Sequence, residues 1–460
     1  MSFDIAEPRP DVYHSSHGSI QPRVEQIARA DGNHLYLSDG RKIFDAVGGA
    51  AATSIGHGDK RVKKAICNQL DTVEYCRSTL FRTSASRDLS QKLVASTQGR
   101  MKRVVIVNSG SEAVDAALKL SILYFHSIGQ SERVRFIARE SSYHGSSVAA
   151  LSLGYHKRRR ELYQGILGHD GVNFSHVSRA FAYRDQKAGQ TEEQYVEQLV
   201  KELDNEFQAV GPDTVCAFVA KTVVGAGLAA VVPPKGYFVA MKQVCDKYGA
   251  LLMLDEVMCG LGRTGTYHAW QHPEIGVTPD LQTVGKTLAG GYVPIAALLI
   301  GTKVAKSMEE QGEFFVHGST YEDHPVASAA AFTVKTVIRQ EGLVDNVRLR
   351  GEELVSGLSV ELAQPGKPTP YPSDMKLAYR VRDAGLKLPP KVRESLGIDG
   401  VSLFPMQGGA DGMEGDVIMI MPAYDVTSQD IETIVEAFAT IVECVVGKSG
   451  ELFAYEFLHR

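Results

Sequence analysis

The pattern of apolar and polar positions predicts the elements of an α/β fold. Short apolar runs bounded by glycine or polar residues predict strands, and longer runs with a period near 3.6 residues predict helices. The predicted strands are RVVIVNSG (103–110), VRFIARE (134–140), VCAFVA (215–220), LLMLDE (251–256), LQTVG (281–285) and IAALLIG (295–301). Because helical patterns such as those at 111–127 and 237–249 separate them, we expect a mostly parallel sheet covered by helices on both faces.

The pattern changes towards both ends of the chain. Two alternating segments in HLYLSDGRKIFDAV, joined by Asp39 and Gly40, predict a β-hairpin. Beyond residue 325, two long helical patterns flank a proline-rich loop at 363–374. We therefore expect a large α/β domain of residues 55–320. A small α+β domain would combine residues 321–460 with an N-terminal segment of residues 1–54.

Composition narrows the classes of partner and compartment. The chain is 44% hydrophobic and 22% charged, with a net charge of −5, so nothing in it favours nucleic acid or an anionic membrane. The six cysteines are scattered without a C-x-x-C pair, which argues against a zinc site and for a reducing compartment. Neither a signal-peptide pattern nor a run of 18 apolar residues is present, so we expect a cytoplasmic protein without bound metal.

Two of the predicted strands lead directly into residues suited to chemistry. LLMLDE ends in Asp255, and a buried carboxylate needs a partner. Lys286 follows LQTVG, and a partly desolvated lysine has a lowered pKa and forms Schiff bases.

NSGSEA (108–113) predicts a strand, a turn and a helix start, with Ser109 and Glu112 at capping-box spacing. Free N–H groups at such a helix start suit a phosphate, although a capped helix without a ligand is the simpler interpretation.

Two glycine-containing motifs invite nucleotide-binding interpretations. CGLGRTG (259–265) matches G-x-G-x-x-G, but only about two helical turns fit before Pro273, and no acid follows at the ribose-binding distance. We interpret it as a glycine-rich loop of another kind, with a dinucleotide-dependent oxidoreductase as the lesser alternative. GKT (285–287) fails as a phosphate loop because Asp280 stands where the first glycine is required.

Five motifs, taken in order, resemble one family over nearly the whole chain. They are NSGSEAVDAALKL, SSYHG, LLMLDEVMCGLGRTG, TVGKTLAGGYVPIAALL and HGSTYEDHPVA. Their order and spacing are similar to those of class III aminotransferases, pyridoxal 5'-phosphate (PLP) enzymes of the aspartate aminotransferase fold, fold type I. The resemblance implies a homodimer with shared active sites. It also implies ping-pong transfer of an amino group between an amine or amino-acid donor and an oxo-acid or carbonyl acceptor.

The resemblance further implies roles for individual residues. Lys286 would form the Schiff base with PLP and move a proton between substrate and cofactor. Asp255 would pair with the protonated ring nitrogen, because a cationic ring is the better electron sink. The other implied cofactor residues are Tyr143 and Val257 on the two ring faces, His144, Gly110 and Ser111 at the phosphate, and Thr320 reaching the phosphate from the neighbouring subunit.

Two departures from the family pattern bear on the substrate. Lys221 stands where relatives usually carry glutamate, so it holds an acidic group, marks a changed substrate or points to solvent. The loop at 406–422 has no arginine, and Glu414 lies close to where relatives often place one. We therefore expect a substrate with a positive group or an uncharged amine. The expected substrate pocket comprises Gly48, Gly49, Phe81, Lys221 and Glu414.

The motifs leave other PLP chemistry open. Racemases, decarboxylases and aminomutases share this fold and these cofactor motifs. The motifs cannot separate these reactions, because the pocket walls decide which bond breaks.

The sequence supports two smaller expectations. The basic run 157–160 is expected to form a solvated helix face. Glu256 is expected either on the far side of its strand from Asp255 or against Arg263.

Overall fold

The computed structural model describes residues 25–167, 173–228, 230–312, 314–357, 360–361, 376–407, 416–446 and 453–454. The strands are β1 (Ile27–Asp31), β2 (His34–Leu37), β3 (Lys42–Phe44), β4 (Met101–Val107), β5 (Arg135–Arg139), β6 (Phe174–Val177), β7 (Val215–Lys221), β8 (Leu251–Asp255), β9 (Leu281–Val284), β10 (Ala296–Gly301), β11 (Val360–Glu361), β12 (Gly400–Val401), β13 (Phe404–Gln407), β14 (Asp416–Met419) and β15 (Phe453–Ala454). The helices are α1 (Gly48–Ala51), α2 (Lys60–Thr72), α3 (Ser84–Ser96), α4 (Gly110–Ser127), α5 (Val148–Leu153), α6 (Lys157–Arg160), α7 (Ala182–Asp185), α8 (Glu192–Val210), α9 (Tyr237–Tyr248), α10 (Thr302–Gln311), α11 (Pro325–Gln340), α12 (Leu343–Gly357), α13 (Leu377–Gly385), α14 (Pro390–Leu396) and α15 (Ser428–Val446).

A seven-stranded sheet forms the centre of the molecule, in the order β4-β10-β9-β8-β7-β5-β6. Only β10 runs antiparallel to its neighbours, and the other pairs within this sheet are parallel. The prediction of a mostly parallel α/β sheet is therefore confirmed. The six predicted strands are all present, with their ends shifted by three residues or fewer. The edge strand β6 was not predicted.

The central strands are apolar because helices cover both faces of the sheet. Every residue of β7 and β8 is buried. Residues of α4, α5 and α10 pack on one face of the sheet, and residues of α8 and α9 pack on the other. Parallel strands buried on both faces have continuous apolar sequences, which is the pattern that VCAFVA and LLML show.

The topology brings several strand ends to one edge of the sheet. Strands β4, β5, β7, β8 and β9 point the same way, so the residues that follow them meet at their carboxyl ends. The register pairs Lys221 of β7 with Asp255 of β8, and Asp255 with Thr283 of β9. In open α/β sheets this edge is where ligands bind.

A smaller sheet joins the two ends of the chain. Its order is β1-β2-β3-β12, and the predicted hairpin turn lies between β2 and β3, with Gly40 at a φ of 92°. β12 pairs with β3 in parallel, and a shared core with α13 and α15 includes Phe44 and Phe438. The N-terminal strands thus pack with the C-terminal helices.

The described ranges contain neither a membrane-spanning helix nor a cluster of metal-ligating side chains. None of the helices there combines the length and the apolar character needed to cross a membrane. The same residues contain no group of three or more histidine, cysteine and acidic side chains placed to hold a metal ion.

Candidate active site

A cavity of about 450 Å³ opens at the carboxyl edge of the central sheet. Each of the strands that end at this edge contributes to its wall. The residues proposed from the sequence that line it are Gly110, Ser111, Tyr143, His144, Lys221, Asp255, Val257 and Lys286.

Asp255 lies at the floor of this cavity with both carboxylate oxygens bonded. Its Oδ2 accepts from His144 Nδ1 at 2.8 Å and from Lys221 Nζ at 2.7 Å. Its Oδ1 accepts from the Val257 amide at 3.1 Å and from Thr283 Oγ1 at 3.3 Å. Burial alone would raise the pKa of this carboxyl, but the Lys221 ammonium and the His144 hydrogen bond hold the pKa well below its usual range. The carboxylate is therefore ionised at any physiological pH.

His144 supports this carboxylate and carries no charge. Its side chain is fully buried, and burial lowers its pKa more than the neighbouring Asp255 raises it. Since an ionised carboxylate only accepts hydrogen bonds, Nδ1 of the neutral ring carries the hydrogen. Its Nε2 lacks a hydrogen-bond partner within the described structure, although the atom is buried.

Lys286 stands at the opposite side of the cavity in a strained conformation. Its φ of 44° lies in the left-handed region that a lysine seldom adopts, a kind of strain that is common at functional sites. The side chain donates from Nζ to the carbonyl oxygen of Ala50 at 2.8 Å. Burial lowers the pKa of Lys286 to about 8, and the positive charge of Lys221 contributes to the shift. A substantial fraction of neutral amine is thus present near pH 8.

The start of α4 provides donors for an anion. Ser109 caps the helix by accepting the Glu112 amide on its Oγ at 3.2 Å, while the Glu112 carboxylate accepts from the Asn108 amide at 2.9 Å. The predicted capping box is therefore half right. Ser109 caps the helix as expected, but the Glu112 carboxylate accepts the amide of Asn108 instead of the amide of Ser109. The amides of Gly110 and Ser111 belong to the first turn, which has no acceptors within the helix.

Close packing explains the glycines around these donors. A Cβ on Gly110 would lie 2.7 Å from Val257 Cγ1, and a Cβ on Gly145 would lie 2.6 Å from Ser111 Oγ. The Ser146 amide also donates to Ser111 Oγ at 3.0 Å. Gly145 therefore lets the loop after β5 pack tightly against the first turn of α4, and Gly110 lets that turn pack against Val257 in the turn after β8.

Tyr143 and Val257 contribute an aromatic and an aliphatic wall. The Tyr143 hydroxyl bonds to Ser146 Oγ at 2.9 Å, and the Arg159 guanidinium lies 4.6 Å from the centre of its ring. The basic run that contains Arg159 is only partly solvated, because Arg160 is buried and donates to the Ser152 carbonyl at 2.8 Å. The expectation of a solvated helix face holds for Lys157, Arg158 and Arg159, which are exposed, but not for Arg160.

The structure decides between the alternatives that the sequence left open for Lys221 and Glu256. Lys221 is buried against Asp255, so the interpretation in which it points to solvent is wrong. Glu256 faces the other side of β8, where it accepts from Thr222 Oγ1 at 2.6 Å and from the Trp270 amide at 2.8 Å. It does not bond to Arg263, which donates to the Pro422 carbonyl at 2.5 Å.

Several proposed pocket residues do not line the cavity of this single chain. Gly48 packs against Thr53 with a φ of 58°, and Gly49 is exposed. Phe81 is 65% exposed, and Thr320 is also exposed. Glu414 lies outside the described residues.

Sequence reasoning missed residues that reach the site through pairing or long-range contact. Thr283 bonds to Asp255 because β9 pairs with β8, and Ala50 of α1 contacts Lys286 although more than 200 positions separate them in the sequence. The only sequence signal for Thr283 is its position two residues before the glycine that precedes Lys286.

The glycine-rich loop after β8 is not a dinucleotide site. Residues 257–268 form turns and bends, whereas the dinucleotide fingerprint opens a helix at the glycines. A Cβ on Gly262 would lie 2.9 Å from Tyr424, so this loop packs against the C-terminal part of the chain.

Comparisons with known proteins agree with this geometry. The Aminotransferase class-III family model matches residues 16–442. The chain belongs to the class III aminotransferases. An aminotransferase of Gibberella zeae is 41% identical over 448 residues, which cover 93% of this chain and 86% of the relative. The mitochondrial gamma aminobutyrate transaminase 1 of Solanum lycopersicum is 30% identical over 90% of this chain and 80% of its own length.

The solved structures give the same result for the fold. An amine transaminase from an uncultivated Pseudomonas species, in its PLP-bound form, superposes with a TM-score of 0.83 at 26% identity. The match covers 96% of this chain and all of that one. This class III aminotransferase therefore has the PLP-dependent fold type I, and it uses PLP to move an amino group between an amine or amino-acid donor and an oxo-acid or carbonyl acceptor.

The cavity of this class III aminotransferase fits PLP chemically. An ionised carboxylate at the floor suits a protonated ring nitrogen, and a lysine with a lowered pKa suits the aldehyde. Gly110 and Ser111 in the first turn of α4 line the same cavity, where their amides suit a phosphate. PLP, when bound, supplies a ring that withdraws electrons from the bond to be broken.

Proposed function

We propose that this class III aminotransferase works through Lys286 and Asp255, with the remaining cavity residues holding PLP in place. The observation that carries the proposal is their placement in one cavity, where Asp255 is ionised and Lys286 has a lowered pKa. Lys286 would hold PLP covalently through Nζ, and its amine, when free and neutral, would move the proton at the substrate carbon. Asp255 keeps the ring nitrogen protonated.

The other roles follow from position in the cavity wall. The amides of Gly110 and Ser111 hold the phosphate at the start of α4. Tyr143 and Val257 confine the ring from two sides, and His144 orients the carboxylate of Asp255 through their 2.8 Å hydrogen bond. Since the His144 ring is neutral, it adds no charge that would compete with the ring nitrogen for Asp255.

We also propose a homodimer in which Thr320 completes the phosphate site of the neighbouring subunit and Phe81 reaches its substrate pocket. An apolar surface supports this proposal: Leu80, Phe81, Phe314, Val316 and Tyr321 are each more than half exposed. The two segments that carry it are adjacent, since Ser78 Oγ donates to Glu322 at 2.5 Å. Soluble monomers seldom expose large contiguous apolar patches, and such patches often mark protein interfaces. Sedimentation of a Phe314→Glu variant at micromolar concentration should show a monomer with weakened PLP binding, and an unchanged dimer would contradict the proposal.

The division into residues 1–54, 55–320 and 321–460 is part of the same proposal, supported by the sheet that joins the N-terminal strands to β12. A cytoplasmic location is proposed from the six unpaired cysteines.

Stoichiometry separates transamination at this site from the other PLP reactions. Purified PLP-loaded protein is mixed with a single amine or amino-acid donor and no acceptor. We expect loss of the aldehyde form's absorbance and release of one oxo product per active site. A racemase or decarboxylase would instead return PLP to the aldehyde form and continue to turn over. Continued turnover without an acceptor is therefore the result that would overturn the proposal.

A further inference from the structure

The carboxylate of Asp255 has no free position for another donor. A carboxylate accepts about four hydrogen bonds. Oδ1 receives those of Val257 and Thr283, and Oδ2 receives those of His144 and Lys221. A protonated ring nitrogen can therefore bond to Asp255 only if one of these donors leaves.

Three of the four donors are fixed by the fold. The Val257 donor is a backbone amide in the turn after β8. Thr283 has a short side chain within the paired part of β9, and the His144 ring is fully buried. Lys221 differs because its ammonium is carried by a flexible four-carbon stem. It also lines the 450 Å³ cavity, so open space adjoins its side chain.

We propose that Lys221 is a displaceable counter-ion that leaves Asp255 when PLP binds and then holds the carboxylate of the substrate. The proposal rests on the assignment of Asp255 to the ring nitrogen. Without PLP, Lys221 satisfies a buried carboxylate that would otherwise be unpaired. With PLP, its ammonium turns into the cavity, where the reacting molecule binds.

The chemistry of a displaced lysine determines the class of substrate. A buried ammonium without an anionic partner is costly. Glu256, which follows Asp255 in the chain, faces the opposite side of β8 and already accepts from Thr222, Ala269, Trp270 and Gln282. Lys221 therefore requires an anion from outside, and a carboxylate of an oxo acid or amino acid supplies it. This replaces the expectation of a substrate with a positive group.

Affinity for two cofactor probes tests the displacement directly. PLP and its analogue with carbon in place of the ring nitrogen are titrated into the apoenzyme of the wild type, Lys221→Met and Lys221→Gln. Only PLP gains a bond to Asp255 by displacing Lys221. The preference for PLP over the analogue should therefore rise about tenfold or more in both variants, the scale of one hydrogen bond to a charged group. An unchanged preference in a folded variant would show that Lys221 never competes for Asp255.

A kinetic comparison tests the second half of the proposal. In the same variants, KM for an oxo-acid acceptor should rise about tenfold or more, by the same scale, while KM for an amine donor without a carboxylate stays unchanged. Equal changes for both substrates, or none, would overturn the role in carboxylate binding. Lys201→Met, at an exposed position of α8, is the matched control. If PLP does not attach to Lys286 of the wild-type enzyme at all, the proposed function fails instead. The two failures are therefore distinguishable.

Discussion

The Nζ atom of Lys286 donates a 2.8 Å hydrogen bond to the carbonyl oxygen of Ala50. Ala50 belongs to the short segment that follows the small N-terminal sheet, whereas Lys286 follows β9 of the central sheet. At the cavity, the bond therefore joins the segment that follows β3 of the small sheet to the segment that follows β9 of the central sheet. It holds the lysine amine at a defined position before any ligand arrives.

Removal of the Lys286 amine should abolish most of the half-reaction. Under the proposed roles, Lys286→Ala loses both the group that attaches PLP and the base at the substrate carbon, so we expect the rate with saturating PLP to fall by roughly 10²–10⁴-fold or more. Stopped-flow absorbance with a single amino donor measures this rate. The control is Lys306→Ala, whose side chain is 70% exposed. A Lys286→Ala variant that keeps a tenth of the wild-type rate would be inconsistent with the assignment.

The role of Asp255 can be tested sharply, because the adjacent carboxylate of Glu256 serves as a control. Asp255→Asn keeps the shape but removes the charge that the proposed function assigns to the ring nitrogen, so the half-reaction should slow by roughly 10²–10⁴-fold. The pKa of Asp255 is held well below its usual range. A plot of the wild-type rate against pH should therefore show no inflection from this group between roughly pH 5 and 9.

Glu256→Gln is the control for that substitution. Burial raises the pKa of Glu256 to about 7, and its partners lie on the other side of β8. We expect a change in thermal stability but little change in the half-reaction rate. Equal slowing in both variants would show that charge at this strand end, rather than Asp255 itself, is what matters.

The close approach of Gly110 to Val257 should be required for PLP binding. A Cβ at Gly110 would lie 2.7 Å from Val257 Cγ1, so Gly110→Ala must push the start of α4 away from β8. Overpacking of this kind costs about 1–3 kcal/mol, which corresponds to PLP affinity weakened by roughly 5- to 150-fold. Gly351→Ala on α12 meets no atom within 4 Å and should leave PLP affinity as it is. Unaltered affinity in Gly110→Ala would argue against a phosphate at this helix start.

Lys335 should make stability depend on pH in the alkaline range. Its side chain on α11 is buried, its Nζ has no hydrogen-bond partner in the described parts of the chain, and burial lowers its pKa to about 7. Between pH 7 and the ordinary value of 10.5, the unfolded chain binds more protons at this lysine than the folded one. Its contribution to the free energy of unfolding therefore rises with pH across this interval.

Lys335→Met should remove that contribution. We expect the free energy of unfolding at pH 7 to increase by roughly 1–4 kcal/mol, since a methionine of similar length fills the site without a charge. Urea denaturation at pH 7 and pH 9.5 measures the change, and the gain should shrink at the higher pH. Destabilisation at pH 7 would mean that the ammonium has a partner that stabilises it.

The sequence predicted the parts of the site that depend on single strands and their ends. LLML is a continuous apolar run and LQTV is a short strand pattern that ends at a glycine, so Asp255 and Lys286 could be placed at the sheet edge before the fold was known. The burial of Lys221 could not be predicted, because it depends on the register of β7 against β8, which no local pattern encodes. Edge strand β6 was missed because FSHV is short and half polar. Phe81 and Thr320 are exposed in the single chain, so their proposed roles depend on a second subunit.

The most direct test of the central claim is the site of covalent PLP attachment. The PLP-loaded protein is reduced with borohydride, digested, and mapped by mass spectrometry before and after exposure to an amino donor. The account predicts the reduced pyridoxyl group on Lys286 alone, and its absence when the donor has first converted the cofactor. Attachment at Lys221 or Lys335 would contradict the account. So would label on Lys286 that persists after the donor is added.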